Sequence, residues 1–252
     1  MNSINLKDFV VHPGADLNAI DWTNGAILLI DKPLNWTSFD VVKKLRFILT
    51  RRAGVKKLKV GHAGTLDPLA SGLLVLCVGK MTKRIDELQS MLKTYTGTFR
   101  FGETTPSYDA ETEVDKVFPI NHINHEMLIA ATEQFKGIIR QKPPVFSALK
   151  YKGKAMYKYV RAGKGDQVEI KPRTIEISYF NLTNIELPNV DFELDCGKGT
   201  YVRSLAHDFG QALNSGAYLT ALRRTQIGDF KVNEGWGLDE FVDALDDLIK
   251  KP

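Results

Sequence analysis

The sequence predicts a mixed α/β fold built on a central sheet, and three patterns carry that reading. Leu73–Val78 is an unbroken apolar run bounded by Gly72 and Gly79. Six residues are too few for a core helix, so the run reads as a buried strand. Tyr95, Gly97, Phe99 and Phe101 alternate with Thr96, Thr98 and Arg100, the period of a half-buried strand. Val41, Val42, Leu45, Ile48 and Leu49 recur at helical spacing within Phe39–Thr50.

In chain order, residues 1–24 lack clear periodicity and are expected to wrap the surface. Ala26–Ile30 is a short apolar strand, and Ser38 is positioned to cap the helix that follows. Lys83–Lys93 reads as helical. Leu128, Ala131 and Phe135 form the inner stripe of a helix ending near Gly137, and Thr174–Leu187 and Val190–Cys196 read as strands joined at Pro188-Asn189. Val202, Leu205, Phe209 and Leu213 mark another helix, Gln226–Val232 a strand, and Leu238–Ile249 a terminal helix burying Phe241, Val242, Leu245 and Leu248. No internal repeat or linker separates a second complete domain, so 1–252 is expected to be one domain.

Charge is unevenly spread. The chain carries a formal +4, but its last fifteen residues, 238–252, hold five acids and two lysines, which leaves +7 elsewhere. Lys43–Lys59 contains eight Lys/Arg and no Asp or Glu, a stripe suited to phosphate backbones or to a solvated helix face and basic loop. Cys77 and Cys196 sit in apolar strand-like runs without CxxC spacing and read as buried hydrophobes in a reducing compartment. No signal peptide and no apolar run of about 18 residues is visible, which predicts a cytoplasmic protein with no membrane role.

Other chemistries find little support. His122 and His125 lack a third ligand at metal spacing and read as solvent-side histidines. Gly197-Lys-Gly-Thr lacks phosphate-loop spacing. Ser204, His207 and Asp208 share one short helix, where nucleophile–base–orienter geometry is hard to reach.

Gly61–Lys83 reads GHAGTLDPLASGLLVLCVGKMTK and holds one acid, Asp67, on a loop shaped by glycines and Pro68. His62-Ala-Gly-Thr-Leu-Asp67-Pro-Leu-Ala-Ser-Gly-Leu-Leu resembles the catalytic motif of the TruB family of tRNA pseudouridine synthases. The Lys32-Pro-x-x-x-Thr-Ser segment resembles that family's first motif, with Asn35 where glycine is usual; asparagine tolerates the left-handed turn. The resemblance covers roughly residues 25–232.

It implies the pseudouridine synthase fold, with a largely antiparallel central sheet flanked by helices, and isomerisation of a T-loop uridine (position 55) in tRNA by base flipping and aspartate nucleophilic catalysis. Asp67 corresponds to the nucleophile, Arg203 to the active-site arginine and Tyr95 to the tyrosine that stacks on the flipped uracil. Tyr201 corresponds to a pocket-lining tyrosine; if its segment is extended, it and Arg203 face the same way. His62 matches the residue that fills the vacated stack. Lys83 is expected to hold phosphate, and Leu222 to contact substrate. No cofactor and no metal are implied. Residues 143–173, where tyrosines alternate with lysines, correspond to a mobile insertion that clasps RNA. Lys32 reads as a loop brace.

Many bacterial members continue into a small RNA-binding PUA domain, for which this chain has little room beyond an acidic terminal helix over 238–252. The T-arm of tRNA is therefore the expected partner of a monomer needing no protein partner. A guide-RNA-dependent synthase and a non-catalytic tRNA-folding protein are the competing readings.

Overall fold

A computed structural model describes residues 5–147, 149–164, 167 and 170–247. They form a mixed α/β structure in two compact units, Met1–Tyr95 with Arg223–Pro252, and Thr96–Leu222. Among the strands are β1 (Ala26–Lys32), β2 (Val60–His62), β3 (Ala70–Val78), β4 (Lys93–Phe101), β5 (Gly137–Gln141), β6 (Arg173–Glu186), β7 (Asn189–Cys196), β8 (Ala217–Ile227), β9 (Phe230–Lys231) and β10 (Trp236–Gly237). Glu103–Thr104 with Lys116–Val117 and Lys150–Tyr151 with Lys154–Ala155 form two small separate hairpin-like pairs. The helices are α1 (Ser38–Arg52), α2 (Ile85–Ser90), α3 (His125–Thr132), α4 (Met156–Arg161), α5 (Val202–Ala212) and α6 (Leu238–Asp247).

In the first unit, β1 and β3 pair antiparallel from Ala26↔Val78 to Lys32↔Gly72, while β10 lies parallel on the outer side of β1. The apolar run is unbroken because both faces of this pair are covered. Leu74, Leu76 and Val78 pack with Val41, Leu45 and Leu49 of α1 and Phe241 and Leu245 of α6. Leu73, Val75 and Cys77 face the other way, onto Met81, Leu88, Ile227 and Phe230. Gly72, at φ +100°, lies where a Cβ would meet the Arg224 carbonyl oxygen at 2.2 Å. Only glycine admits that approach of β3 to β8.

Several elements depart from expectation. Residues before β1 do not merely wrap the surface, because Val11, Leu17 and Trp22 are buried in the core. Thr37, not Ser38, caps α1, through a reciprocal capping box with Asp40. Lys83 lies in a 3-10 turn, Gly79–Arg84, ahead of α2. Gln226–Val232 is a hairpin rather than one strand, turning at Gly228 with φ +53°. The expected Leu248 contact of α6 lies outside the described residues, as do the side chains of Tyr157 and Lys158.

In the second unit, β6 pairs antiparallel with both β7 and β5. Phe99 of β4 stacks on Phe192 of β7 at 4.1 Å, and Phe180 meets Phe209 of α5 edge-on at 5.3 Å. Alternate strand positions thus supply an aromatic core against which α5 lies.

Candidate active site

Asp67 stands on the loop between β2 and β3, and the backbone on both sides of it is fixed. Buried Ser38 accepts from the Leu66 N–H at 2.8 Å and donates to the Leu66 carbonyl at 3.0 Å. Ala70 N donates to the Asp67 carbonyl at 3.1 Å, and Asn35 N donates to the Pro68 carbonyl at 2.8 Å. Asn35 adopts φ 65°, the left-handed turn expected of it. The carboxylate itself remains partly accessible. A partly exposed acid on a backbone pinned at three points is held in place by its loop.

Two buried cations underlie this loop. Lys32 is fully buried and donates to the carbonyls of Pro33 at 2.9 Å and Trp36 at 2.7 Å, the brace expected of it. Burial lowers its pKa to about 8; the negative charge of Asp67 opposes the shift and Arg224 adds to it. Buried Arg224, which the sequence reading passed over, donates to Leu73 O at 2.8 Å and Gly64 O at 3.0 Å. Its third contact, 3.5 Å to the Tyr95 hydroxyl, ties the Asp67 loop to Tyr95. Nothing in its local pattern separates it from its exposed-side neighbour Arg223, which instead pairs with Asp31 at 2.6 Å.

Lys32 makes stability pH-dependent in a definite direction. Between pH 8 and 10.5 the unfolded chain holds this proton while the folded chain has released it, so stability rises with pH across that window. Buried Cys77, with its thiol pushed up to about 12, acts in the opposite sense above pH 9. We therefore expect wild-type stability, measured by urea unfolding relative to Lys32→Met, to increase from pH 8 to 10.5. A flat difference would show that Lys32 does not titrate early.

His62 ends β2, paired with Leu76, and burial holds it below its ordinary pKa, in the neutral form. Tyr95 is buried on β4, and Lys83 is exposed on its turn.

Tyr201, Arg203 and Leu222 belong to the other unit. Tyr201 is extended, but α5 begins at Val202, so Arg203 lies in a helical first turn and the expected same-side geometry of an extended segment does not hold. The buried amide of Gln141 accepts from Tyr201 N at 2.8 Å and donates to its carbonyl at 3.0 Å. The Arg173 guanidinium lies 5.0 Å from the Tyr201 ring. Leu222 is partly buried on β8.

Arg203 is buried, donates to Phe146 O at 3.0 Å and Ser107 O at 3.3 Å, and faces the Asp109 carboxylate at 3.5 Å. Asp109 was not singled out from sequence; it lies in loop 102–115, which is rich in threonines and acids. Thr105 and Ser107 hydroxyls both donate to the Asp109 carbonyl, and the Glu111 N–H donates to its carboxylate at 3.0 Å, so the loop is fixed at Asp109. Ser204 donates to Lys142 O at 2.8 Å, and His207 stacks on Tyr108 at 4.0 Å, so neither serves a triad. His122 contacts Leu213 O. Among the described residues no group of His, Cys, Asp and Glu could hold a metal, and no helix is long and apolar enough to cross a membrane.

Residues 51–202 match the family model described as TruB family pseudouridylate synthase (N terminal domain), and residues 203–249 match tRNA pseudouridylate synthase B C-terminal domain. The chain is 53% identical over 226 residues to tRNA pseudouridine synthase B of Flavobacterium johnsoniae, covering 89% of this chain and 98% of that protein. It is 48% identical over 227 residues to the protein of the same name from Phocaeicola vulgatus, covering 90% and 96%. Among solved structures it resembles a Cbf5-Nop10-Gar1 complex at 28% identity and TM-score 0.63, covering 91% of this chain and 56% of that one. An H/ACA RNP bound to a substrate RNA containing 2'-deoxyuridine matches at 27% identity and TM-score 0.63, covering 88% and 53%. The chain thus spans about half the length of those two solved chains. With a family model over more than half its length and relatives near 50% identity, the chain belongs to the TruB family of pseudouridylate synthases.

Proposed function

We infer that this protein is a tRNA pseudouridine synthase that isomerises the T-loop uridine, with Asp67 as its nucleophile. The observation that carries the assignment of Asp67 is its loop: the backbone is fixed by Ser38, Asn35 and Ala70 around a partly exposed acid. The reaction breaks the C1′–N1 bond, turns the base and forms C1′–C5; the C5 proton leaves and N1 gains one, so no electrons are exchanged. A carboxylate that holds one fragment during the turn is what this requires.

Tyr95 grips the flipped uracil by its ring, and Arg203 and Tyr201 serve the same reaction from their own unit. His62, a neutral imidazole, stacks in the space the base vacates. Lys83 contacts phosphate and Leu222 the substrate. The segment 143–173 closes over the RNA; a cation over an aromatic face at Lys152–Tyr151 and the Tyr151–Tyr159 edge contact support an RNA-facing role. The T-arm is the recognised element, and the enzyme acts as a monomer without an obligatory protein partner. Near-full-length similarity to proteins named tRNA pseudouridine synthase B favours this over a guide-dependent synthase.

The test is pseudouridine formation in an unmodified T-arm hairpin, with no cofactor or metal added. Product at the T-loop uridine is expected. Tight binding without product would overturn the catalytic reading in favour of an RNA-folding one.

A further inference from the structure

The basic stripe of the sequence becomes, in the first unit, two walls of one cleft. Helix α1 supplies Lys43, Lys44, Arg46 and Arg51, and the segment before β2 supplies Lys56, Lys57 and Lys59. Arg52, the eighth cation of the stripe, turns away to bond Asn18. The single acid in the lining, Asp40, is engaged by the Thr37 N–H and hydroxyl as the α1 cap. The cleft is open to solvent and has a volume of about 1230 Å³, above the roughly 300–1,000 Å³ of ordinary small-ligand pockets. Apolar side chains such as Trp36, Leu58, Val60 and Ile85 form much of its surface, but seven of its eight charged side chains are cations, which suits an extended polyanion.

Phe47, also in the lining, is 63% exposed, with the Arg51 guanidinium 5.7 Å from its ring centroid. A large aromatic left open among cations is costly as surface and useful as a platform for a base. The cleft also runs up to the nucleophile loop. Gly61, in its wall, precedes His62, and the N–H of Asn35, also in its lining, donates to the Pro68 carbonyl next to Asp67.

We propose that this cleft holds the RNA strand flanking the reacting nucleotide, its phosphates on Lys43, Arg46, Arg51 and the Lys56–Lys59 wall, and one unstacked base on Phe47. The proposal rests on the RNA-modifying reading of Asp67 and extends it to where the rest of the substrate lies. Lys44 contributes least, because it is paired with Asp239 at 3.1 Å and placed over Trp36.

The test uses the full chain and a fluorescent, unmodified T-arm hairpin, with Kd measured from 50 to 300 mM salt, values chosen on the order of the range where phosphate contacts respond strongly. Lys43, Arg46 and Arg51 have exposed or solvent-facing heads, so Lys43→Ala/Arg46→Ala/Arg51→Ala leaves the fold intact, which circular dichroism checks. Losing three phosphate contacts lowers the slope of log Kd against log salt by about 2–3 and weakens binding ~10-fold or more near physiological salt. Phe47→Ala weakens binding ~5-fold or more and leaves the slope unchanged, as loss of one stacked base requires. Lys7→Ala/Lys231→Ala, outside the lining, leaves both unchanged.

A triple variant with wild-type slope and affinity would overturn the proposal. Pseudouridine formation by the wild type, followed in the same hairpin, separates this from the reading it rests on. Product with unaltered binding in the variants sinks the cleft alone. A lowered slope with no product from any protein supports the cleft as an RNA surface and sinks the catalytic assignment.

Discussion

Replacing Asp67 by Asn is expected to abolish pseudouridine formation while leaving RNA affinity within a few-fold of wild type, if Asp67 is the nucleophile proposed above. The substitution keeps shape and hydrogen-bonding reach but removes the nucleophilic oxygen anion, so the loss falls on the chemical step. A fall of ~10⁴-fold, or ~5.5 kcal/mol of transition-state stabilisation, is the expected order. The fold is not at risk, because the loop is held through backbone atoms by Ser38, Asn35 and Ala70 and not through the carboxylate alone. Single-turnover assays with enzyme in excess, paired with filter binding, read the two quantities separately. An Asn variant that still turns over within tenfold of wild type would remove Asp67 from the nucleophile's role.

The neighbouring residues show what sequence can and cannot reveal about such a site. Leu73–Val78 was legible as a central strand because an unbroken apolar run has no other place to go, and the two packed faces bear that out. Asn35 was legible as a left-handed position because few residues tolerate one, and it stands at φ 65°. Lys32 was legible as a brace because a lysine between a buried strand and a Pro-turn has backbone carbonyls within reach. Local pattern is enough when the cause is local.

Arg224 and Asp109 were not legible, because what makes them matter is remote in sequence. Arg224 is defined by Gly64 and Leu73, more than 150 residues earlier, and by Tyr95. Asp109 is defined by Arg203, which lies 94 positions later and faces it only when α5 starts at Val202. The condition under which Tyr201 and Arg203 would face the same way, an extended segment, is not met, because the helix marked by Val202, Leu205 and Phe209 already begins between them. Spacing i, i+2 has no bearing once a helix begins between the two residues. The end of a strand and the start of a helix differ by a single turn, which composition does not resolve.

Asp109→Ala is the second substitution with a large expected effect, and here stability and activity fall together. The carboxylate and the Arg203 guanidinium are 7% and 6% exposed, so their 3.5 Å approach is little screened by solvent. Removing the acid while the guanidinium stays buried costs ~3 kcal/mol or more, whereas removing both charges from such a pair costs far less. Asp109→Leu/Arg203→Met is therefore expected to recover most of the urea-unfolding stability lost in Asp109→Ala, yet to make no pseudouridine. Asp109→Asn, which keeps a hydrogen-bond acceptor for Arg203 but not the charge, should fall between wild type and Asp109→Ala in stability. If the double variant proves as unstable as the sum of its single changes, the two side chains are energetically independent. Loop 102–115 would then not be what sets Arg203. If it recovers, the acid found only in the folded chain is a positioning residue for the arginine that the motif had already singled out, and the loop that carried no visible chemistry exists to present it.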